Sequence, residues 1–314
     1  MSIDFLQHAW IDPQGKEHSG EALAYVDNFT VIDCCQCGYK HVTPLPTHDE
    51  LEHVYSHEYY SQEKPLYIER YLEDKEWWDG VYAERYAVFE KHLGPSRRRL
   101  LDVGSGPGLF LALGRNRGWS VKGIEPSSQA AQYSRDSLQL DVEEMFLTPE
   151  SATQLGAFDA INMGEVLEHL PDPAAMLETV HELLAAGGLV CLIVPNDFNP
   201  FQNILRNSLS FKPWWVAPPH HLNYFCADSL RGLVERKGFE IVSMETTFPL
   251  DLFLLMGLNY IGDDSVGRRI HGYRMQLEKN LWAGGGGELK SKLYTALADL
   301  GLGREIVLFA RKKF

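Results

Sequence analysis

Hydrophobic and polar positions change their rhythm along the chain. Residues 1–64 read as short strands and turns, rich in His, Tyr and Pro, with no helical period. Over 65–93, Tyr67, Tyr71, Trp77, Trp78, Val81, Tyr82, Tyr86, Val88 and Phe89 recur at helical spacing, which predicts helices with an aromatic face. From Arg99 onward, short apolar runs alternate with amphipathic segments. The pattern predicts strands at 99–103, 120–124, 141–143, 158–163, 189–194 and 240–247, with helices at 109–117, 127–138, 174–186 and 227–237. A last strand is predicted over 304–311. This alternation implies an α/β domain, a doubly wound, seven-stranded, mostly parallel sheet with helices on both faces. Residues 248–303 interrupt it as a helical insertion before the last strand, and the run Gly284–Gly287 reads as a flexible turn within it. The expected organisation is a small N-terminal module at 1–64 and a helical linker or lid at 65–98. A core follows at 99–247 plus 304–314, with 248–303 as a substrate or dimer region.

Four segments of the core carry chemistry. In Leu100-Leu-Asp102-Val-Gly104-Ser105-Gly106-Pro-Gly108-Leu109 a buried strand runs into a glycine loop that opens a helix. Glycines allow the tight turn, and bare N–H groups at the helix start favour an anion. A dinucleotide loop wants Gly-x-Gly-x-x-Gly. Here the third glycine comes one residue early, and Leu109 stands where that pattern needs glycine. The second segment, Gly123-Ile-Glu125-Pro126-Ser127, ends the next strand with a carboxylate that can accept two ribose hydroxyls. The third and fourth are Phe158-Asp-Ala-Ile-Asn162-Met163-Gly164-Glu165-Val-Leu-Glu168-His169 and Gly187-Gly188 through Pro195-Asn196.

In order and spacing these four segments resemble the Rossmann-like S-adenosylmethionine-dependent methyltransferases, over 99–247 and the final strand. The resemblance implies S-adenosyl-L-methionine as cofactor. Asp102, Gly104, Ser105, Gly106 and Gly108 would approach its methionine portion, and Glu125 with Pro126 its ribose. Glu144 and Met145 would flank the adenine, and Asn162, Met163 and Gly164 would floor the sulfonium. Such an enzyme aligns a nucleophile with the S–CH3 bond, excludes water and removes a proton where needed.

Glu165-x-x-Glu168-His169, with the later His220-His221, is similar to the arrangement in ubiquinone-pathway O-methyltransferases and small-RNA ribose methyltransferases, where such residues hold a divalent metal. Three readings stay open: a metal on Glu165, Glu168, His169 and His221; a brace for the strand-to-helix turn; or a general base at His169 or His221, with His220 beside them. Cys34-x-x-Cys37 looks like half of a zinc knuckle. The N-terminal module resembles that of deoxysugar C-methyltransferases, which carries two such pairs. The following Thr43-Pro-Leu-Pro and Tyr59-Tyr60 match, and the latter pair could cap the cofactor pocket. The first cysteine pair is replaced by stretches containing His8 and His18. Loss of the zinc is the expectation, and a mixed His/Cys site the alternative.

Composition narrows the partners. The 314 residues carry a formal net charge of −14, which argues against nucleic acid, since phosphates must be met by Lys and Arg. No apolar run reaches the roughly 18 residues of a membrane span, and no basic-then-apolar leader follows Met1, so a cytoplasmic protein is expected. The acceptor is expected to be a small molecule, a nucleotide-linked or glycan sugar first, with an O-methylated secondary metabolite or quinone-like ring as the alternative. The loop 211–215, with Trp214 and Trp215, is expected to form a lid or bury a homodimer contact. A catalytically silent cofactor-binding subunit is the reading from a different class, and a nicotinamide oxidoreductase is disfavoured by the glycine spacing.

Overall fold

Apolar runs punctuated by glycine and polar turns build two sheets in the computed structural model of the protein, which describes residues 7–13, 15–46, 50 and 67–313. The first is antiparallel: β1 (Gln7–Ile11), β2 (Glu17–Val26), β3 (Phe29–Cys34) and β4 (Tyr39–Thr43). Every second residue of β2 is buried, so one face of this sheet meets a core and the other meets solvent. Tyr59 and Tyr60 lie outside the described residues.

The second sheet follows two helices, Tyr67–Glu73 and Lys75–His92. Its strands are β5 (Arg99–Val103), β6 (Ser120–Ile124), β7 (Val142–Glu143), β8 (Phe158–Gly164) and β9 (Leu184–Pro195). After β10 (Asn223–Tyr224), which joins the other sheet, it is completed by β11 (Phe239–Thr246) and β12 (Glu305–Lys312). The order is β11-β12-β9-β8-β5-β6-β7, parallel from β9 to β7, with β12 antiparallel to both neighbours. This is the expected doubly wound, seven-stranded sheet. Alternate residues feed two cores. Leu101, Val103, Ile161, Met163, Val190 and Leu192 pack against helices Pro173–Leu183 and Ala227–Arg236. Leu100, Ala160, Leu189 and Cys191 face the other way, against Tyr86, Phe89, Phe110 and Leu111. β5 has β6 on one side and β8 on the other. The chain runs on from β5 to β6 and from β8 to β9, so the connections from these two neighbouring strands leave in opposite directions and a crevice opens between their carboxyl ends.

Four local features differ from the sequence-based expectation. Helix Pro173–Leu183 stops three residues short of 186, because β9 already begins at Leu184, and Gly187 and Gly188 fall in the register shift between the Leu184 and Leu189 pairings with β8. A helix at Pro200–Leu209 was not expected; Asn199 caps it through Gln202 N at 3.0 Å. β10 extends the small sheet, pairing Asn223 with His41 and Tyr224 with Lys40. Trp215 forms neither lid nor exposed contact. It is buried under the small sheet with Phe198, Val31, Val42 and Leu222, and Trp214 packs against the same cluster.

The segment 248–303 forms helices Asp251–Leu255, Asp264–Ala283 and Gly287–Asp299, with the glycine run as the break between the last two. Asp251–Leu255 packs beside helix Pro200–Leu209, and polar contacts tie the other two to each other and to helix Lys75–His92. Trp77 Nε1 donates to Glu278 at 2.7 Å, Tyr294 donates to the same carboxylate at 2.6 Å, and Trp282 Nε1 donates to Glu84 at 2.6 Å. No helix among the described residues is long and apolar enough to cross a membrane.

The return from these helices into β12 depends on Gly303, whose φ of +115° no L side chain adopts readily. A methyl there would sit 2.8 Å from Thr247 O and run into the Thr246 side chain. Gly303→Ala is expected to destabilise the protein by about 2–4 kcal/mol, strain and overpacking combined. Chemical denaturation checks this, and an unchanged midpoint would contradict it.

Candidate functional site

The crevice at the carboxyl ends of β5, β6 and β8 is a cavity of about 400 Å³, within the range of small-molecule sites. Two buried carboxylates dominate its chemistry. Glu125, at the end of β6, is 4% exposed and accepts from Gly106 N and Ser127 N, each at 2.8 Å. Burial pushes its pKa up to about 7, against the pull of those two amides. Each oxygen retains a lone pair for a further donor. Asp102, near the end of β5, accepts from Asn162 Nδ2 at 2.7 Å across the parallel Asp102–Asn162 register. Burial raises it to about 7 as well, opposed by Asn162 and by the positive charge of Arg85.

The glycine loop holds this pair in place. Gly104, Gly106 and Gly108 all have positive φ, and Gly104 N and Ser105 N donate to Ile124 O at 2.8 and 3.0 Å. The loop is thereby pinned to the strand that carries Glu125. Gly108 opens helix Leu109–Asn116, and a side chain there would strike Leu140 and Ser134.

Asp102, Gly104, Ser105, Gly106, Glu125, Pro126, Met145, Asn162, Gly164, Glu165 and His169 line the cavity together. Gly108 supports the loop from behind. Glu144 does not reach the cavity. It turns to the sheet edge, accepting from Ser128 and lying 3.5 Å from Arg135, and Phe146 stands beside Met145 on the wall instead. Met163 does not line it either. Strand alternation sends its side chain into the core opposite Asn162, with 1% exposed.

Several lining residues escape sequence reasoning. Trp78, Tyr82, Phe110 and Arg85 come from the aromatic helix and the helix after the glycine loop, and only the aromatic period hinted at them. Arg274 comes from helix Asp264–Ala283, 7% exposed, its guanidinium 4.5 Å above the Trp77 ring. No local pattern marks it, since the insertion's docking alone brings it there.

Beyond β8 the chain turns at Glu165, whose φ is +56°. The short turn Leu167–His169 follows. One metal-ligating atom each from Glu168, His169 and His221 lies within 4.8 Å of the others, while Glu165 stays outside this group on the cavity wall. His169 Nε2 is 3.9 Å from Glu168 Oε1, and its Nδ1 is 2.6 Å from His220 O. A proton on Nδ1 donates to that carbonyl and leaves Nε2 with a lone pair. His220 thus contributes its backbone, and His221 crosses His169 edge-on at 5.0 Å. The three-atom group has the chemistry of a divalent-metal site, and equally of an imidazole base with a carboxylate beside its Nε2. Cys34 and Cys37 sit in the small sheet, beside His18 and His41.

A family profile described as a methyltransferase domain matches residues 75–244, more than half of the chain. Among curated proteins, the ubiquinone biosynthesis O-methyltransferase of Psychrobacter arcticus is 34% identical over 115 residues, covering 34% of this chain and 44% of that protein. The protein of the same name from Xanthomonas axonopodis pv. citri is 30% identical over 134 residues, covering 38% and 56%. The chain thus spans about half the length of these curated relatives. A solved SAM-dependent methyltransferase from Archaeoglobus fulgidus superposes with a TM-score of 0.47 at 14% identity, covering 77% of this chain and 99% of that one.

Because the raised carboxyls bind hydroxyl and ammonium donors more strongly when ionised, ligand affinity should climb with pH through about 7. S-adenosylhomocysteine titrated by calorimetry is expected to bind about tenfold or more tighter at pH 8 than at pH 6. Glu125→Gln should weaken it about 100-fold at pH 8, since it removes the charge and sets an amide NH2 against the N–H of Gly106 or Ser127. A flat pH profile with an unaffected variant would show that the ribose does not sit on Glu125.

Proposed function

Since this chain belongs to the methyltransferase-domain family, we propose that it moves the methyl group of S-adenosyl-L-methionine to a hydroxyl of a small acceptor held above the cavity. The observation that carries this is the pair of buried carboxylates, Glu125 and Asp102, locked by a Gly-x-Gly-x-Gly loop at the sheet's switch point. Glu125 takes the two ribose hydroxyls on its outward lone pairs. Asp102 takes the α-ammonium and Arg85 the carboxylate of the methionine portion, so its zwitterion meets one charge of each sign. Met145 and Phe146 flank the adenine. When bound, the donor supplies an electrophilic methyl on a positively charged sulfur, so no covalent protein nucleophile is needed.

The acceptor's proton then goes to His169 Nε2, the group with a lone pair on the cavity wall. Glu168, buried 3.9 Å from that nitrogen, stabilises the imidazolium that results. Trp78, Tyr82 and Phe110 supply flat apolar faces for a ring and exclude water from the reacting atoms. Methyl transfer to a hydroxyl oxygen is further supported by the curated relatives, which are named as O-methyltransferases. Hydroxylated aromatic rings are therefore the first acceptor class to assay. Nucleotide-linked sugars, the expectation from the N-terminal module, are the second, since a sugar ring stacks on the same aromatic faces. Glu168, His169 and His221 would hold a divalent ion, whose chemistry there would be to polarise an acceptor hydroxyl.

His169→Ala should lower kcat by about 100-fold or more while S-adenosylhomocysteine affinity changes less than about twofold. Loss of donor binding in that variant would assign His169 to the cofactor instead. Activity abolished by a chelator and restored by a divalent ion would replace the base with the metal reading. Full donor binding without transfer to either acceptor class would favour the silent-subunit reading.

A further inference from the structure

The small sheet gathers a second group of ligating side chains, remote in sequence from the methyl-transfer motifs. Cys34 ends β3, Cys37 lies in the following turn, His41 is central in β4, and His18 comes from β2. The metal-ligating atoms of all four lie within 4.8 Å of one another. His18 Nδ1 is 3.1 Å from His41 Nε2, 3.7 Å from Cys34 Sγ and 3.5 Å from Cys37 Sγ. With zinc–nitrogen bonds of about 2.0–2.1 Å and zinc–sulfur bonds of about 2.3 Å, a tetrahedral site has N–N edges of about 3.3 Å and N–S edges of about 3.6 Å. The observed edges match both.

The outer hydrogen bonds point the same way. His41 Nδ1 lies 2.8 Å from Val42 O, and His18 Nε2 lies 3.4 Å from a carboxylate oxygen of Asp12. Both partners can only accept, so each outward nitrogen carries the proton. The inward nitrogens, His18 Nδ1 and His41 Nε2, then present lone pairs to each other at 3.1 Å. Two acceptors at that distance repel unless a positive charge lies between them. A histidine ligand whose second nitrogen donates to a carboxylate or carbonyl is the usual outer arrangement of a metal site. His18, His41 and Cys34 are each 5% exposed or less, which suits a closed, structural coordination sphere.

We propose that His18, Cys34, Cys37 and His41 bind one zinc ion, and that the expected loss of metal from this module is wrong. The ion displaces the two thiol protons to solvent, and two thiolates neutralise its charge inside the sheet. His8 is not a ligand, since its Nε2 pairs with Thr43 Oγ1 at 3.0 Å. His41, which the cysteine spacing did not single out, completes the set. The site also braces the acceptor half of the cavity. His41 pairs with Asn223 on β10, and Asn223 Nδ2 donates to Leu167 O at 3.0 Å and Leu170 O at 2.7 Å, the two ends of the turn bearing Glu168 and His169.

Elemental analysis of the full chain, purified under reducing conditions and dialysed, should find about one zinc per chain. Cys37→Ser and His41→Ala should each lose most of it, whereas Cys35→Ser, which alters an exposed neighbouring thiol, should keep it. Cobalt added to the metal-stripped wild-type chain should give a thiolate-to-cobalt charge-transfer band and tetrahedral d–d bands, a readout that needs no variant to fold. Stripping the metal should lower the thermal midpoint. Wild-type protein with neither zinc nor a cobalt spectrum would overturn the proposal. So would a Cys34–Cys37 disulfide under those conditions, or metal loss in Cys35→Ser equal to that in Cys37→Ser.

Discussion

Burying two carboxylates at the carboxyl ends of adjacent parallel strands is the constraint from which the rest of the site follows. Asp102 and Glu125 are each less than 5% exposed, and desolvation raises both towards neutrality. Such groups persist only where fixed donors meet them. The donors are the amides of Gly106 and Ser127 and the side chain of Asn162. Gly106 can present its N–H only because the loop takes a left-handed path at three glycines, and Asn162 only because β5 and β8 run in parallel register. The sheet order, the glycine spacing and the strand-end acids are thus one device.

The remaining walls are added from outside the sheet. The aromatic helix Lys75–His92 lays Trp78, Tyr82 and Arg85 over the cavity, and the helices of 248–303 are clamped to that helix by Glu84 and Glu278. Arg274 reaches the cavity through this clamp. On the opposite side the small sheet approaches through β10, whose Asn223 holds the turn bearing Glu168 and His169. Two peripheral elements therefore converge on one cavity, each through buried polar bonds whose geometry is more demanding than apolar packing.

The core was legible because its signals are local. Segments 99–103 and 120–124 are short β-prone stretches followed by a glycine or a carboxylate, and the structure places β5 and β6 on those residues. What was not legible depends on partners distant in sequence. β10 is two residues long and becomes a strand only by pairing with β4. The strand expected from 189 begins at Leu184, because Phe158 of β8 pairs with Leu184 ahead of the register shift that takes up Gly187 and Gly188. Glu144 was expected to reach the cofactor, but Ser128 and Arg135 hold it at the sheet edge. Trp214 and Trp215 looked like a lid or a dimer contact, and instead the small sheet's cluster buries Trp215, with Trp214 half-buried against it. His41 carried no motif. Only the pairing of Ile32 with His41 across β3 and β4 brings its ring towards the cysteines.

A crystal structure of the protein with S-adenosylhomocysteine tests the central claim most directly. The account predicts both ribose hydroxyls on Glu125, the amino-acid end at Asp102 and Arg85, and the adenine beside Met145 and Phe146, with the sulfur facing His169. A ligand bound elsewhere, or one whose ribose leaves Glu125 with only its two amide partners, would contradict it.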